Sequence, residues 1–225
     1  METVFIHHHL GLGDHIICNG LVREFAKSYN INLFCKSKNM YNVSVMFADV
    51  KNISIIGVSK DDDVTNFISQ LAKTQSEKYI KLGIALNSNF DYNRIDCCWD
   101  EIFYEQTKLP FDLSWSNFSY KKPLSQQPIP DTPYAFICDK GSDGINGIDY
   151  NFVDSDLKKI YSNQGYFFDN LELIQNASEI HTINSSYIHL IDRINNLNCD
   201  NLFYHKNFVK KPYSNFTIRK KWKIL

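Results

Sequence analysis

The chain has 225 residues, of which 44% are hydrophobic and 22% are charged, and its formal net charge is −1. This composition is typical of a soluble globular protein, and a net charge so close to zero indicates no particular class of partner. No apolar run approaches the ~18 residues that a membrane span needs, and the first residues lack the basic start of a signal peptide. We therefore expect a cytoplasmic protein.

The first predicted elements are a strand, a tight turn and a helix. Val4–Ile6 have the composition of a short buried strand, the glycines at 11 and 13 allow a turn, and apolar residues then recur at helical spacing. Asp14 stands where a helix N-cap would lie, so we expect its carboxylate to accept backbone N–H bonds. The turn follows the carboxyl end of a strand, where open α/β sheets bind their ligands.

Strands and helices continue to alternate through residue 108, which predicts a parallel sheet with helices on its faces. The predicted strands are 32–35, 53–58 and 79–86; a helix or irregular turn is expected at 40–50, and helices are expected after 61–63 and over 92–108.

A proline-rich segment separates this region from the rest of the chain. Residues 121–133 contain four of the six prolines, a composition that favours an extended connector. We therefore predict a first domain at 1–120, a linker at 121–133 and a second, smaller domain at 134–225.

The second domain is predicted to repeat the same construction. A strand at 134–138 leads into the glycine-rich stretch 139–147, and a strand at 179–183 leads into a helix over 185–194, after an earlier helix at 168–177. Polar turns that follow strands and open helices can bind phosphate groups.

Two of these segments resemble a known family. The run from His9 to Ile16, His-Leu-Gly-Leu-Gly-Asp-His-Ile, resembles the Gly-Asp turn of the lipopolysaccharide heptosyltransferases, a glycosyltransferase group of the GT-B fold. Residues 177–190 are similar to the C-terminal nucleotide-sugar segment of that group, in which an Asp-Ser/Thr-small-x-x-His pattern begins a helix. The resemblance covers only these two regions, but they occur in the same order as in the family and in opposite halves of the chain.

The resemblance implies a compact GT-B-like α/β protein with two Rossmann-like halves facing a cleft. It implies a metal-independent transferase without a cofactor, in which Asp14 is the general base and the acceptor lies near His8, His9 and Gly13. The donor nucleotide-sugar is expected to contact two segments of the second half: Lys140, Gly141 and Ser142, and Asn184, Ser185, Ser186 and His189. The donor site departs from the family pattern at two residues. Asn184 stands where an aspartate is common, and Lys140 matches the family's phosphate-binding lysine only by position.

The resulting hypothesis is a glycosyltransferase of polysaccharide biosynthesis that moves a sugar onto the hydroxyl of a glycan or lipid-linked glycan. The alternatives are a nucleotide-sugar epimerase or hydrolase of the same fold, and a non-catalytic nucleotide-sugar or glycan-binding protein. A nicotinamide site is disfavoured because no third glycine follows Gly11 and Gly13 at the required spacing.

Three further patterns have structural interpretations. Side chains alternate along a strand, so His7, His8 and His9 cannot all bind one metal ion, and His7 is expected to be a core histidine. The acidic run 61–63 is expected to cap a helix rather than bind a metal. The six cysteines show no C-x-x-C spacing and are expected to be small buried residues, forming neither disulfides nor a metal site.

The last 25 residues form a basic and aromatic segment, with seven lysines and arginines and no acidic residue. Three interpretations were considered for it: packing of a final element against the first half, contact with an anionic membrane surface, and nucleic-acid binding. The sequence has no RNP-like stacking motif, so nucleic acid is not an expected partner, whereas peripheral membrane contact stays open.

Overall fold

The computed structural model describes residues 1–71, 78–83, 98–141, 147–162, 165–206 and 215–225. The chain divides into two compact units. The first comprises Met1–Lys121 and Asn215–Thr217, and the second comprises Lys122–Ser214 and Ile218–Leu225.

The first unit is a parallel sheet surrounded by helices. Its elements, in chain order, are β1 (Thr3–His7), α1 (Leu12–Ile17), α2 (Asn19–Ala26), β2 (Asn30–Lys36), a 3₁₀ turn (Ser37–Asn39), α3 (Met40–Phe47), β3 (Ile53–Val58), α4 (Asp61–Leu71), β4 (Lys78–Lys81), α5 (Ile102–Thr107) and α6 (Leu113–Ser116).

The strand order of this sheet is β3-β2-β1-β4, and every pairing is parallel. From β1 the chain builds outward through β2 and β3, and it then returns to add β4 on the other side of β1. Sheets of this kind bind ligands at the carboxyl ends of the two strands where the order reverses, here β1 and β4.

The second unit contains a five-stranded sheet. Its elements are β5 (Tyr134–Cys138), a 3₁₀ turn (Tyr150–Phe152), β6 (Lys158–Tyr161), a 3₁₀ turn (Phe167–Asn170), α7 (Leu171–Asn176), β7 (Glu179–Thr182), α8 (Ser186–Arg193), β8 (Leu202–Tyr204) and β9 (Trp222–Ile224). The order is β6-β5-β7-β8-β9, again with parallel pairings, so the reversal point lies between β5 and β7.

Each sheet has its own apolar core. In the first unit Phe5, Leu10, Phe34, Val58 and Val64 form a buried cluster. In the second unit all five residues of β5 are buried, as expected for a central parallel strand covered on both faces.

The predicted α/β architecture with two parallel sheets is confirmed. β3 and β5 have the predicted bounds, but the strand predicted at 79–86 ends at Lys81, and Gly83 has a φ of 115° that interrupts extended structure. The helix predicted at 92–108 is helical at Ile102–Thr107 within the described residues, and its first six residues lie outside them. β6, β8, β9 and α6 were not predicted, because they are only three or four residues long.

The proline-rich segment, expected to be an extended connector, forms hydrogen bonds and an ion pair with the second unit. The Gln127 N–H donates to the Asp169 carbonyl at 2.8 Å, and the Gln126 side-chain oxygen accepts from the Glu172 N–H at 3.2 Å. Lys122 also pairs with Glu172. These contacts place the segment on the second unit, beside α7.

The C-terminal segment contributes a strand to the second sheet. β9 pairs with β8 there. Residues 215–217 belong to the first unit, where the Asp100 carboxylate accepts the Thr217 N–H at 3.0 Å. Within the described part of the chain, no helix combines the length and apolarity needed to cross a membrane.

Candidate functional site

The turn after β1 lies at the reversal point of the first sheet. Helix α1 begins at Leu12, so Gly11 is the N-cap and Asp14 lies in the first turn of the helix. The expectation that Asp14 itself is the N-cap is therefore wrong, because the helix starts two residues earlier than the apolar periodicity suggested. The Asn39 side chain donates to the Leu10 carbonyl at 3.4 Å and helps to hold the turn.

The Asp14 carboxylate lies directly over Gly11. A Cβ atom at position 11 would be 2.4 Å from Asp14 Oδ2, so only glycine leaves room for the carboxylate there. Burial raises the pKa of Asp14 to about 7, although the backbone N–H groups of Asp14 and Gly11 and the charge of Lys36 oppose this shift. A carboxyl with a pKa near neutrality can both accept and release a proton at physiological pH.

At the end of β1, His7 forms a hydrogen-bonded chain that was not predicted. The Asp61 carboxylate accepts from His7 Nε2 at 3.1 Å, which leaves His7 Nδ1 to accept the Tyr79 hydroxyl proton at 2.9 Å. Burial lowers the pKa of His7 despite Asp61, so the ring is neutral. His7 is thus a buried and hydrogen-bonded histidine, as expected.

Asp61 is the residue of this group that the sequence interpretation missed. The acidic run was expected to cap a helix, and Asp63 does so, because its Oδ2 accepts the Ser59 and Lys60 N–H groups at 3.0 and 3.1 Å. Asp61, at the start of α4, instead reaches His7, and its charge also acts on Asp14. The position of Asp61 could have identified it. Helix α4 follows β3, and the carboxyl ends of β3 and β1 lie on the same side of the sheet.

The three predicted acceptor residues have different environments. His8 is fully buried, donates from Nδ1 to the His9 carbonyl at 2.6 Å and packs edge-on against His15, with ring centroids 4.3 Å apart. His9 is half-buried and its ring lies over Gly83, where a Cβ atom would be 2.7 Å from it. Gly13 is half-buried in α1. His9 is therefore the predicted acceptor histidine with solvent access.

In the second unit, two of the predicted donor segments meet at the reversal point of the sheet. Cys138 at the end of β5 pairs with Thr182 at the end of β7. The Cys138 thiol lies 3.2 Å from the Ser185 hydroxyl, and the Ile183 N–H donates to the Cys138 carbonyl at 3.3 Å. The segment that starts at Lys140 and the segment 184–186 therefore leave the same edge of the sheet.

Ser185 is the N-cap of α8. Its backbone is extended, with φ −145° and ψ 173°, and its hydroxyl accepts the Tyr187 N–H at 3.3 Å. The remaining predicted donor residues are placed as follows: Asn184, Ser186 and Gly141 are half-buried, Lys140 is exposed, His189 is buried, and Ser142 lies outside the described residues. Burial, and then the charge of Arg193, hold the pKa of His189 well below its ordinary value, so its ring is neutral.

A second chain of histidines runs through the core of this unit. The Asp149 N–H donates to His205 Nδ1 at 3.2 Å, so in the neutral ring the proton is on Nε2, which lies 3.1 Å from His181 Nδ1. His181 Nε2 then donates to Glu179 at 3.2 Å. Burial lowers the pKa of His205 to about 4 and also lowers the pKa of His181, so both rings are neutral at neutral pH.

Within the described ranges, no three His, Cys, Asp or Glu side chains are grouped closely enough to hold a metal ion. No disulfide joins the described cysteines: Cys18, Cys35 and Cys138 are buried, and Cys98 and Cys199 are half-buried.

Comparison with known proteins identifies a structural relative. The sequence matches no protein-family model and no curated protein. The fold is similar to the crystal structure described as the glycosyl transferase family 9 from Veillonella parvula DSM 2008, with a TM-score of 0.54 and 11% identity. The match covers 100% of this chain and 85% of that chain, so the likeness extends over both units. The predicted resemblance is thereby confirmed at the level of the fold.

Proposed function

We propose that this protein is a glycosyltransferase that moves a sugar from a nucleotide-sugar to the hydroxyl of a glycan or lipid-linked glycan, with Asp14 as general base. The observation that carries the proposal is the Asp14 carboxyl, whose pKa of about 7 belongs to a side chain at the reversal point of a parallel sheet. The likeness to a family 9 glycosyl transferase structure supports it.

Glycosyl transfer requires that the acceptor hydroxyl lose its proton as its oxygen attacks the sugar. A base is most effective when its pKa lies near the working pH, because it is then ionised and still binds a proton well. Asp14 meets this condition, and Gly11 leaves its carboxylate uncrowded. Half-buried His9 and Gly13 are the acceptor contacts of this proposal.

The donor would bind to the second unit, at the shared edge of β5 and β7. The reaction leaves a nucleoside diphosphate, whose negative charge can be stabilised by backbone N–H groups at the start of α8 and by the Lys140 ammonium. Ser185 and Ser186 supply hydroxyls at the same place. This arrangement requires no metal ion.

The test is a transfer assay with a panel of nucleotide-sugars and glycan acceptors. Asp14→Asn keeps the shape of the side chain and removes the base, so transfer should fall by about a thousandfold, while donor binding measured by calorimetry should change less than threefold. Asp62→Asn is the matched control, because Asp62 is exposed and bonds only Lys60 among the contacts of the described residues.

The same assay separates the alternatives. Donor consumed without any acceptor product would identify a hydrolase or epimerase, and tight donor binding without turnover would identify a binding protein. Unchanged transfer by Asp14→Asn would exclude Asp14 as the base.

A further inference from the structure

The basic C-terminal segment lines a cavity of the second unit that lies away from the predicted donor segments. The cavity has a volume of about 490 Å³. It lies between the chain that enters β8 and the chain that enters β9, and its lining comprises Asn195, Leu197, Cys199, Asp200, Leu202, Arg219, Lys220 and Lys221.

One buried carboxylate holds the basic side of this cavity in place. Asp192, only 2% exposed, accepts the Arg219 N–H at 2.9 Å, the Lys220 N–H at 3.0 Å and the Trp222 indole N–H at 3.1 Å. Because these donors belong to neighbouring residues, they fix the backbone of the segment that carries the cations. The backbone that carries the cationic side chains is therefore already positioned before a ligand binds, which lowers the entropic cost of binding.

The charge of the lining favours an anion. Three cationic side chains, from residues 219 to 221, face one acidic residue, Asp200. Within the part of the chain that the structure describes, Lys220 and Lys221 form no ion pair. Leu197 and Leu202 add an apolar side, suited to the organic part of a ligand.

The cavity lies at the amino ends of the strands, whereas the donor segments lie at the carboxyl ends. Residues 195–201 and 219–221 precede β8 and β9, so they lie at the amino ends of these parallel strands, whereas residues 184–186 follow β7 at its carboxyl end. A ligand in the cavity is therefore separate from the proposed donor.

We propose that this cavity is a second binding site, for a phosphate-bearing ligand whose anionic group contacts Lys220, Lys221 and Arg219. A soluble organic phosphate and the phosphate of an anionic lipid present the same chemistry to these side chains. The proposal does not depend on the proposed glycosyltransferase activity.

Cys199 provides a readout that is specific to this cavity. Its thiol is half-buried in the lining, and Cys98, half-buried in the first unit, serves as an internal control. Alkylation by iodoacetamide at pH 8, followed by peptide mass spectrometry, measures both thiols in the intact chain. Inorganic pyrophosphate up to about 10 mM should slow alkylation of Cys199 at least threefold and leave Cys98 unchanged.

The variant Lys220→Gln/Lys221→Gln should raise the pyrophosphate concentration for half-protection by about tenfold. Lys158→Gln/Lys159→Gln is the matched control, since it removes two adjacent exposed lysines on β6, the opposite edge strand of the same sheet. It should change that concentration by less than about twofold. Circular dichroism establishes that both variants are folded.

A second arm uses vesicles of phosphatidylcholine with and without phosphatidylglycerol. Protection of Cys199 by anionic vesicles alone, lost in Lys220→Gln/Lys221→Gln, would assign the site to a lipid headgroup; protection by pyrophosphate would assign it to a soluble phosphate. The proposal is overturned if neither probe protects Cys199, or if the double variant is protected like the wild type.

Discussion

The carboxyl of Asp14 should make the folded protein less stable as the pH rises from 5 to 7. Its pKa in the folded protein is about 7, against an ordinary value of 3.8. Between these values the folded state keeps a proton that the unfolded state has lost, so the free energy of unfolding falls as the pH rises, and the loss is complete above pH 7. Removing the carboxyl should therefore stabilise the protein at pH 8.

The size of this effect follows from the pKa difference. The two pH units between 5 and 7 together cost about 3 kcal/mol. Asp14 is not fully buried, and contact with solvent reduces the expected cost to about 2 kcal/mol. We expect Asp14→Asn to gain about 2 kcal/mol of unfolding free energy relative to the wild type between pH 5 and pH 8.

Urea unfolding followed by tryptophan fluorescence, at one-unit steps from pH 5 to pH 8, measures this difference. Subtracting wild type from variant cancels the other groups that titrate in this range, including the buried histidines. Asp62→Asn, at an exposed position, should show no trend with pH. A wild-type minus Asp14→Asn difference that stays constant within about 0.5 kcal/mol would refute the raised pKa.

Three further predictions test individual contacts. Gly11→Ala places a Cβ atom 2.4 Å from Asp14 Oδ2, so the carboxylate should move. Transfer should then fall at least about tenfold, while the melting temperature should change by less than about 5 °C. Unchanged transfer would contradict the role of Gly11. Asp192→Ala removes the acceptor of three partly buried N–H donors and should cost about 3 kcal/mol in urea unfolding. A cost below about 1 kcal/mol would mean that this carboxylate does not anchor the C-terminal segment. In ¹⁵N NMR at pH 7, His205 should carry its proton on Nε2, as its hydrogen bonds require; a proton on Nδ1 would exclude the chain to His181.

Local patterns in the sequence were sufficient for several elements. The β-branched run 53–58 and the apolar run 134–138 became strands with the predicted bounds. Residues 53–58 have high β propensity, and residues 134–138 form the continuous apolar stretch that a strand buried on both faces requires. The Gly-Asp turn was recognisable because a glycine pair followed by helical periodicity is a short-range signal. The error over the N-cap shows the limit of this reasoning, since helix ends depend on backbone geometry that composition does not specify.

The properties of the sites depended on contacts between residues far apart in the chain. His7 and Asp61 are 54 positions apart, and they meet because β1 and β3 end at the same edge of one sheet. The same holds for Asp192 and the N–H groups of Arg219 and Lys220, 27 and 28 positions away.

The sequence by itself determined that strands and helices alternate and that polar turns follow two of the strands, because these features arise from the periodicity of neighbouring residues. Only the tertiary structure decided which side chains share an environment. The pKa of Asp14, the neutral state of His7 and the anchoring of the basic C-terminal segment all follow from burial and from charges that strand pairing brings close. Those interactions join residues that are far apart in the chain, so the pattern of neighbouring residues does not reveal them.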